Sequence, residues 1–482
     1  MVDRSIPISV ANGDGIGPEI MSAVLHILEK AGANLDIHSV EIGEKVYLKG
    51  QPNGIDPKTW DIIRQTKAFL KAPISTPQGG GFKSLNVTIR TTLGLYANVR
   101  PCVAYSPFVE TKHPHMDVVI IRENEEDLYM GIEYQLTPTT TEALKVITRP
   151  GCERIIRYAF EYALAHDRKK VTCFTKDNIL KHSDGLFHKV FDEIAKEYPK
   201  IENEHWIVDI GAAKLADTPT AFDVIVMPNL YGDILSDVAA QIAGSVGLAG
   251  SANIGINGAM FEAIHGSAPR RAGQNLANPS GLLLAAIQML VYVERPEIAS
   301  KIHNAWLKTL EDGIHTYDIF KENVSKQKVG TKEFAAAIIE RLGQIPSKFN
   351  PVHYSSHKHI SQEISKKETS NETIKEHVGV DVFIQWEKSL EELVTLLTHE
   401  ALPSLKLQMI SNRGVKVWPN TMKETLCSDL WRCRFVSSKE QKLSSQEYIQ
   451  LIQHLIKQNL DISQICNLFN FNGQPGFTVT QN

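Results

Sequence analysis

The 482-residue sequence predicts a layered α/β protein followed by a small α+β module. Three observations support this prediction. Short apolar runs alternate with helical repeats up to about residue 345, a glycine-rich turn joins the first strand to the first helix, and a polar stretch separates a second region with its own strands and helices. Alternating strands and helices are typical of a sheet covered by helices.

The composition is that of a globular protein that acts on small molecules. Hydrophobic residues make up 43% of the chain, charged residues make up 22%, and the formal charge is -4. No apolar run reaches the roughly 18 residues of a membrane span. The amino terminus lacks a signal-peptide core, and the six cysteines lack zinc or redox spacing. We therefore expect a soluble cytoplasmic protein without nucleic-acid or membrane partners.

The chain begins with a strand at 6–10, a glycine turn, and a helix that continues to Leu28. The turn does not match a dinucleotide-binding fingerprint, because Pro18 occupies the third glycine position and no acidic residue clearly follows at the expected distance. The sequence therefore argues against a Rossmann motif. Further elements are predicted as strands at 68–72, 118–122, 171–174, 206–209 and 224–227, and as long helices at 154–165 and 282–293.

Residues 346–376 are rich in Ser, Lys, Glu and His and predict a linker. We interpret its histidines, His353, His357 and His359, as linker residues and not as metal ligands. Beyond it lie predicted strands at 378–385, 405–410, 415–418 and 430–436, a helix at 390–397, and a last helix that begins at the capping pair Ser444 and Glu447. This order predicts a ferredoxin-like module at 377–482.

The segment from Ile74 to Arg90 combines hydroxyl groups, three consecutive glycines, an amide and an arginine. Ser84 is placed to cap the following helix, and Asn86 and Arg90 lie one turn apart on it. Because a helix amino terminus attracts anions, we interpret the segment as a site for a carboxylate or phosphate. A glycine loop before an ordinary surface helix is the alternative.

Two further arginines follow along the chain. Arg122 ends the strand at 118–122, close to Tyr129, and Arg100 follows the helix that carries Arg90. Guanidinium groups bind carboxylates through two parallel hydrogen bonds, so the three arginines together suit a small polyanion. Three separate surface ion pairs are the alternative.

Asp233 and Asp237 are expected one turn apart on a helix. Their repulsion costs about 0.2–0.5 kcal/mol unless a cation lies between them. A divalent metal would remove that cost, and Asp209, at the predicted end of a strand, is a candidate third ligand. Helix capping by Asp233 is the alternative.

Lys176 follows the strand at 171–174. Near a metal and arginines it would lose its proton more readily and could act as a base; an ordinary solvated loop lysine is the alternative.

The segment from Phe261 to Pro279 is a second glycine-bearing loop, whose imidazole, hydroxyl, arginines and amide suit a nucleotide.

Over about residues 5–343 the chain resembles the isocitrate and isopropylmalate dehydrogenase family of metal-dependent β-decarboxylating dehydrogenases. The resemblance rests on the succession GDGIGPE at 13–19, TP-GGG-SLN at 76–86, REN-ED-Y at 122–129, K-NI at 176–179, N-YGDI-SD at 229–237 and HGSAP-AG--NP at 265–279. It implies an isopropylmalate-dehydrogenase-like, doubly wound α/β fold without a Rossmann motif. Residues 1–97 and 245–345 would form the large domain, and residues 98–244 an inserted smaller domain.

The resemblance also implies residue roles. The implied isocitrate-binding residues are Ser84, Asn86, Arg90, Arg100, Arg122 and Tyr129. The implied ligands of Mg²⁺ or Mn²⁺ are Asp209, Asp233 and Asp237, and the implied catalytic residues are Lys176 as base and Tyr129 as acid. The implied NADP-binding residues are Thr76, Glu262, His265, Gly266, Ser267, Ala268, Arg270, Arg271, Asn278, Tyr317 and Lys321. In family members the lysine and the aspartate matched by Lys176 and Asp209 reach the other subunit, which implies a homodimer with shared active sites.

The expected activity is NADP-dependent oxidative decarboxylation of isocitrate to 2-oxoglutarate and CO₂, a reaction of the tricarboxylic acid cycle. Isopropylmalate enzymes carry an apolar group at the position of Ser84, so Ser84 and Asn86 favour isocitrate; isopropylmalate or homoisocitrate is the alternative substrate. A non-catalytic regulatory subunit is the alternative of another class, against which the presence of Tyr129 and Lys176 argues.

Cofactor choice rests on Arg270, where NAD-using relatives usually have aspartate. Arg271, Tyr317 and, if its segment is helical, Lys321 would also face the 2′-phosphate of NADP.

Two departures from the family concern the rest of the chain. The segment 131–149 is short, which implies a reduced clasp between subunits, and the carboxyl-terminal module is absent from many relatives. We expect that module to be a dimer interface, with effector binding as the alternative.

Overall fold

The computed structural model describes residues 5–51, 54–75, 84–355, 373–398, 404–420, 424–437 and 442–479. In chain order the first elements are β1 (Ile6–Ala11), α1 (Gly17–Ala31), β2 (Leu35–Ser39), α2 (Glu44–Leu48), α3 (Pro57–Thr66), β3 (Ala68–Lys71), α4 (Leu85–Thr92), β4 (Ala97–Val103), β5 (Asp117–Glu123), β6 (Glu133–Gln135), β7 (Thr141–Ala143), α5 (Arg149–Ala165), β8 (Lys170–Thr175), α6 (Ser183–Ala195), β9 (Glu202–Ile207), α7 (Val208–Asp217), β10 (Val224–Met227) and α8 (Asn229–Ala243). The remaining elements are β11 (Gly250–Ile254), β12 (Ala259–Ala263), α9 (Ser280–Tyr292), α10 (Pro296–Glu311), β13 (Ile314–His315), β14 (Gln327–Lys328), α11 (Thr331–Glu340), β15 (Lys375–Gln385), α12 (Leu390–Thr398), β16 (Leu405–Asn412), β17 (Val415–Trp418), β18 (Leu430–Ser437), α13 (Ser445–Lys457), β19 (Asp461–Phe471) and β20 (Gln474–Pro475).

The chain divides into two compact units. The first contains residues 1–130 and 146–365, and the second contains residues 131–145 and 366–482. Among the described residues, no helix is long and apolar enough to cross a membrane.

The first unit is built on a sheet of ten strands in the order β2-β1-β3-β12-β11-β4-β5-β10-β8-β9. Strand pairs are parallel toward both ends of the sheet, and β11 is antiparallel to β12 and β4. Alternate residues of β5 pack into different apolar clusters, Val119 and Ile121 in one and Val118 and Ile120 in another. Because successive side chains of a strand point to opposite faces, both faces of the sheet are covered. The α/β prediction is confirmed.

The turn between β1 and α1 lies close to the loop that follows β12. Gly15 has a φ of 58°, and a Cβ atom there would lie 2.0 Å from the carbonyl oxygen of Ser267. The N–H of Ile16 donates to that same oxygen at 2.9 Å. Only glycine permits this backbone conformation and this approach, so the glycine turn brings two segments distant in sequence together.

The predicted strand at 206–209 is wrong at its carboxyl end. Strand β9 ends at Ile207, and Asp209 lies in the first turn of α7. A carboxylate in the first turn of a helix is stabilised by the helix dipole, which local apolar patterning does not reveal.

The second unit contains a sheet in the order β17-β16-β18-β15-β19-β20, with all pairs antiparallel. Without the hairpin strand β17 and the short β20, this is a βαββαβ arrangement, as the ferredoxin-like prediction requires. The capping box of Ser444 and Glu447 is present at the start of α13. The sequence did not reveal β19, because one of the register shifts in its pairing with β15 places an extra residue, Ser463, in β19 and interrupts the alternation of its side chains.

The hairpin of β6 and β7 belongs to the second unit, although the sequence placed it in the smaller domain. The Asp429 carboxylate accepts hydrogen bonds from the hydroxyls of Thr137 at 3.0 Å, Thr139 at 2.5 Å and Thr140 at 3.2 Å. These contacts join residues almost 300 positions apart, beyond the range of any local pattern.

The first residues of the segment predicted as a linker are packed against the first unit. Val352 donates its N–H to the Asn304 side chain at 2.9 Å, and Tyr354 donates its N–H to Ser300 Oγ at 2.8 Å, so residues 352–354 are packed on α10. His357 and His359 lie outside the described residues. The division of the first unit into a large and a smaller domain stays a prediction.

Candidate active site

Three buried arginines converge in the first unit. Arg90 lies on α4, Arg100 on β4 and Arg122 on β5, and each is at most 6% exposed. Burial, together with the charges of Arg100 and Arg90, lowers the pKa of Arg122 to about 9. The sequence predicted this cluster, and the alternative of three separate surface ion pairs is wrong. Three cations this close require anions nearby.

Asp233 on α8 is one such anion. It accepts hydrogen bonds from Arg122, from Arg100 Nη2 at 3.4 Å, and from the hydroxyl of Tyr129 at 2.5 Å. Burial opposes ionisation of Asp233, but Arg122 and Arg100 lower its pKa overall. Burial raises the pKa of Tyr129 to about 12. Tyr129 therefore carries its proton at neutral pH and can act as a proton donor.

Asp237 lies one turn after Asp233 on α8, and its side chain is 59% exposed. Arg100 Nη1 is 3.4 Å from Asp237 Oδ1. Because α8 begins at Asn229, Asp233 is inside the helix, and the helix-capping interpretation is wrong. Two carboxylates one turn apart, partly open to solvent, fit a divalent cation that prefers oxygen ligands.

Glu262 on β12 links Arg90 to a lysine that the sequence analysis missed. Its carboxylate accepts from Arg90 Nη2 at 2.9 Å and pairs with Lys71 Nζ at 2.7 Å. Although burial opposes it, Lys71 and Arg90 hold the pKa of Glu262 well below its ordinary range. A lysine within the apolar strand β3 was the available signal, because a buried lysine needs a partner.

Polar side chains connect this ion pair to the Asp233 cluster. Asn253 Nδ2 donates to Glu262 at 2.9 Å, and Asn253 Oδ1 accepts from Asn98 at 3.0 Å. Arg100 in turn donates from Nε to Asn98 Oδ1 at 2.5 Å and from Nη1 to Ser236 Oγ at 2.5 Å. One hydrogen-bonded network therefore runs from Glu262 to Arg100 and on to Asp233. Apart from Arg100, the connecting residues Asn98, Asn253 and Ser236 were not predicted.

The start of α4 has polar atoms available to a ligand. Ser84 occupies the N-cap position, but its side chain makes no capping hydrogen bond, so the predicted cap is wrong. Asn86 Oδ1 and Arg90 Nε are buried and have no hydrogen-bond partner among the described residues. Arg90 Nε can donate to a bound anion, and Asn86 Oδ1 can accept from a donor such as a ligand hydroxyl. Thr76 lies outside the described residues.

Lys176 and Asp209 form a pair of their own. Lys176 Nζ is 2.6 Å from Asp209 Oδ1, and this hydrogen bond lowers the pKa of Asp209. Within the described part of the chain, no hydrogen bond or ion pair joins them to Asp233 or Asp237. A single chain therefore brings together two of the three predicted metal ligands.

The loop after β12 contains the predicted nucleotide residues His265, Gly266, Ser267, Ala268, Arg270, Arg271 and Asn278. The hydroxyl of Ser267 is 2.8 Å from that of Ser75, which places the loop beside the end of the segment that follows β3. Ala268 adopts a left-handed conformation with φ of 38°. Burial lowers the pKa of His265, and its Nε2 has no partner among the described residues.

The arginines of this loop are exposed, and Tyr317 lies beside one of them. The Arg271 guanidinium lies 4.7 Å from the centre of the Tyr317 ring, and Asn278 donates to Asp318 at 3.0 Å. Lys321 differs from expectation. Its segment is not helical, and its ammonium pairs with Glu110 at 2.6 Å. The condition for a third cation facing the 2′-phosphate is therefore not met.

Comparison with known proteins places the chain among its relatives. The family described as isocitrate/isopropylmalate dehydrogenase matches residues 7–338, and the bacterial isocitrate dehydrogenase C-terminal domain matches residues 375–482. An isocitrate dehydrogenase [NADP] of Rickettsia felis is 54% identical over 478 residues, covering 98% of this chain and 99% of the relative. An isocitrate dehydrogenase [NADP] of Thermus thermophilus is 41% identical over 480 residues, covering 98% and 95%.

Comparison with solved structures indicates the same family. The crystal structure of the TT0538 protein from Thermus thermophilus is similar with a TM-score of 0.92 at 40% identity, covering 99% of this chain and 96% of that one. Isocitrate dehydrogenase from Methylococcus capsulatus is similar with a TM-score of 0.67 at 42% identity, covering 70% of this chain and 100% of that one. The chain belongs to the isocitrate/isopropylmalate dehydrogenase family.

Proposed function

We propose that this protein catalyses the NADP-dependent oxidative decarboxylation of isocitrate to 2-oxoglutarate and CO₂. The observation that carries the proposal is that Arg100 and Arg122 pair with Asp233, that the nearby charge of Arg90 also lowers the pKa of Asp233, and that Tyr129 donates to the same carboxylate. Relatives named isocitrate dehydrogenase [NADP] align with 98% of the chain and support the same activity.

The arginines bind and orient the carboxylates of the substrate. Each guanidinium offers paired donors, and burial strengthens their attraction for an anion. Ser84 and Asn86 lie at the start of α4, where a hydroxyl and an amide suit a carboxylate group of isocitrate better than the alkyl group of isopropylmalate. The unpartnered Asn86 Oδ1 supports a polar ligand at this place.

Asp233 and Asp237 would hold a divalent cation, which we propose to be Mg²⁺ or Mn²⁺, with Asp209 as a ligand from the partner subunit. When bound, the cation supplies charge stabilisation to substrate oxygens. Asp233 is held in its ionised state by two arginines, so it is ready to act as a ligand without first losing a proton.

Two side chains transfer protons in the reaction, one as a base and one as an acid. Lys176, once it has given up its own proton, would accept the proton of the substrate hydroxyl, and bound NADP would supply the hydride acceptor that lets the alcohol become a ketone. The β-carboxylate then leaves as CO₂, and its bonding electrons pass to the neighbouring carbon and the ketone oxygen. Tyr129, which stays protonated until this step because burial raises its pKa, then gives that carbon a proton.

We propose a homodimer in which Lys176 and Asp209 of each subunit complete the site of the other. Their pairing with each other and the lack of contact with Asp233 within the described chain support this. Helix α8 also exposes Ile234 and Val238, one turn apart and next to the two aspartates. Apolar residues at this spacing suit packing against a second helix.

Steady-state assays with isocitrate, isopropylmalate and homoisocitrate test the function. We expect NADP reduction with isocitrate, loss of activity on chelation of divalent metal, and recovery with Mg²⁺ or Mn²⁺. Tyr129→Phe should lower kcat far more than it changes the KM for isocitrate, whereas Tyr134→Phe, on an exposed ring, serves as the matched control. Faster turnover of isopropylmalate would overturn the roles of Ser84 and Asn86, and binding of isocitrate without turnover would indicate a regulatory subunit.

A further inference from the structure

A cluster of one carboxylate and two imidazoles lies outside the Arg122–Asp233 network. Asp177 follows β8, His188 lies on α6 and His205 lies on β9. Asp177 Oδ2 is 2.7 Å from His188 Nδ1, and Asp177 Oδ1 is 4.0 Å from His205 Nε2. One donor atom of each side chain lies within 4.8 Å of the others. Three parts of the fold thus bring metal-binding groups to one place.

We propose that Asp177, His188 and His205 form a binding site for a transition metal of the zinc class. Zinc binds nitrogen and oxygen at about 2.0–2.2 Å, so ligand atoms around a tetrahedral ion are about 3.4 Å apart. The observed separations of 2.7 Å and 4.0 Å involve the two different oxygens of Asp177 and lie on either side of this value, so the carboxylate must rotate to present one oxygen to a metal held by both rings. Two imidazoles also distinguish this place from the all-carboxylate pair of Asp233 and Asp237, since imidazole favours zinc-like ions over Mg²⁺.

The surroundings favour neutral imidazoles that can bind a metal. The rings of His188 and His205 stack with centres 3.5 Å apart and planes at 15°, an arrangement in which two positive charges would repel. The hydroxyl of Thr175 lies 2.8 Å from His205 Nε2, where it can donate to the lone pair that a metal would use.

The second nitrogen of His188 also has a carboxylate nearby. His188 Nε2 is 3.7 Å from Asp192 Oδ1, whereas Nδ1 faces Asp177. A histidine that binds a metal through one nitrogen commonly directs the other toward a carboxylate, which orients the ring. His188 therefore faces a carboxylate from each ring nitrogen, and the 3.7 Å to Asp192 is longer than a hydrogen bond.

The site adjoins the pair that the proposed function assigns to the partner's substrate. Asp177 directly follows Lys176, His205 precedes Asp209 by four residues, and Lys176 is 2.6 Å from Asp209. A metal that draws Asp177 and His205 together would hold both segments in place. This consequence rests on the proposed function, but metal binding itself does not.

Calorimetric titration of the full-length protein with Zn²⁺, in the presence of saturating Mg²⁺, tests the site. We expect one Zn²⁺ per chain, and His188→Ala and His205→Ala should each weaken binding at least about tenfold. His38→Ala is the control, because exposed His38 lies 3.1 Å from Asp36 but belongs to no group of three ligands within the described chain.

Replacement of Zn²⁺ by Co²⁺ gives a second readout, since nitrogen ligation in a tetrahedral site produces strong visible absorption and an all-oxygen site does not. His188→Ala, on a helix surface, should remain folded by circular dichroism and should lose this absorption. Absence of Zn²⁺ binding under saturating Mg²⁺, or equal binding by wild type and by folded His188→Ala, would overturn the site. Either result leaves isocitrate oxidation untouched, so the two proposals fail separately.

Discussion

Lys71 and Glu262 form an ion pair of 2.7 Å in which the two side chains are 0% and 5% exposed. Lys71 lies at the end of β3 and Glu262 lies opposite it on β12, where the two strands are parallel neighbours. The same carboxylate also binds Arg90. Glu262 therefore neutralises two buried cations, one on the sheet and one on the helix that carries the proposed substrate residues.

Removal of this carboxylate should destabilise the protein. Glu262→Gln leaves Lys71 and Arg90 buried without an anion, and we expect a loss of about 3–5 kcal/mol in the free energy of unfolding. Lys71→Met should cost less, because Glu262 keeps Arg90. Urea denaturation measures both. Since Glu262 has a lowered pKa, its contribution is present above the unfolded carboxyl pKa and is lost as pH falls below it, so the difference between wild type and Glu262→Gln should shrink in acid. Equal losses for the two variants would contradict this account.

Glu123 should make stability fall as pH rises. Burial raises its pKa to about 7, against about 4.3 for an unfolded glutamate, so the native state holds an extra proton between these values. Glu123→Gln should match wild type near pH 4, where the carboxyl is largely protonated in both states, and exceed it at pH 8 by up to about 3 kcal/mol. Chemical denaturation across this range measures the effect, with exposed Glu29→Gln as the control. A constant difference at all pH values would show that the proton is not the cause.

Cofactor preference should depend on the arginines after β12. Two cations beside the 2′-phosphate should favour NADP over NAD by at least about a hundredfold in kcat/KM. Replacement of Arg270 by Asp and Arg271 by Ile should erode or reverse this preference while the KM for isocitrate stays near its original value. Lys321→Ala should have little effect, because Lys321 pairs with Glu110. An unchanged ratio in the double variant would remove the role of both arginines.

If each active site combines Lys176 of one subunit with Tyr129 of the other, two inactive variants should complement each other in a mixed dimer. Lys176→Met and Tyr129→Phe homodimers should each be nearly inactive. When the two chains are denatured and refolded together, the mixed dimer would have one site with both defects and one intact site, so about a quarter of the wild-type activity should return. Refolding each variant alone is the control. No recovery in a mixture shown to contain mixed dimers would place Lys176 and Tyr129 in the same subunit's site.

Truncation tests the carboxyl-terminal module. The cut belongs after Ser355 and not near 345, because Val352 and Tyr354 are hydrogen-bonded to α10. If the module is a dimer interface, the truncated protein should dissociate at higher concentration in sedimentation experiments. Asp429→Ala is a milder variant, since it removes the acceptor for three threonine hydroxyls. Normal dimerisation with an altered response to metabolites would favour effector binding instead.

Much of the site was predictable because its residues stand in short motifs at the ends of strands and on helices. The spacing of Asp233 and Asp237, four positions apart on an apolar-patterned helix, is enough to place both on one face. The same holds for the capping box of Ser444 and Glu447, whose bonds lie within one turn. The assignment of substrate, metal and cofactor residues needed the family resemblance in addition and stays a proposal.

The sequence by itself determined the alternation of strands and helices, the buried character of the strand that ends near Arg122, and the separate carboxyl-terminal module. Those features depend on contacts between residues close in sequence, whose periodicity can be read directly. The tertiary structure decided the rest: that Glu262 neutralises Lys71, that Asp429 binds the hairpin at 131–145, and that Lys321 pairs with Glu110. Each of these contacts joins residues about 190 to 290 positions apart. Pairing of charges at that separation depends on the order of the strands in the sheet and on how each unit folds. No local sequence pattern specifies either.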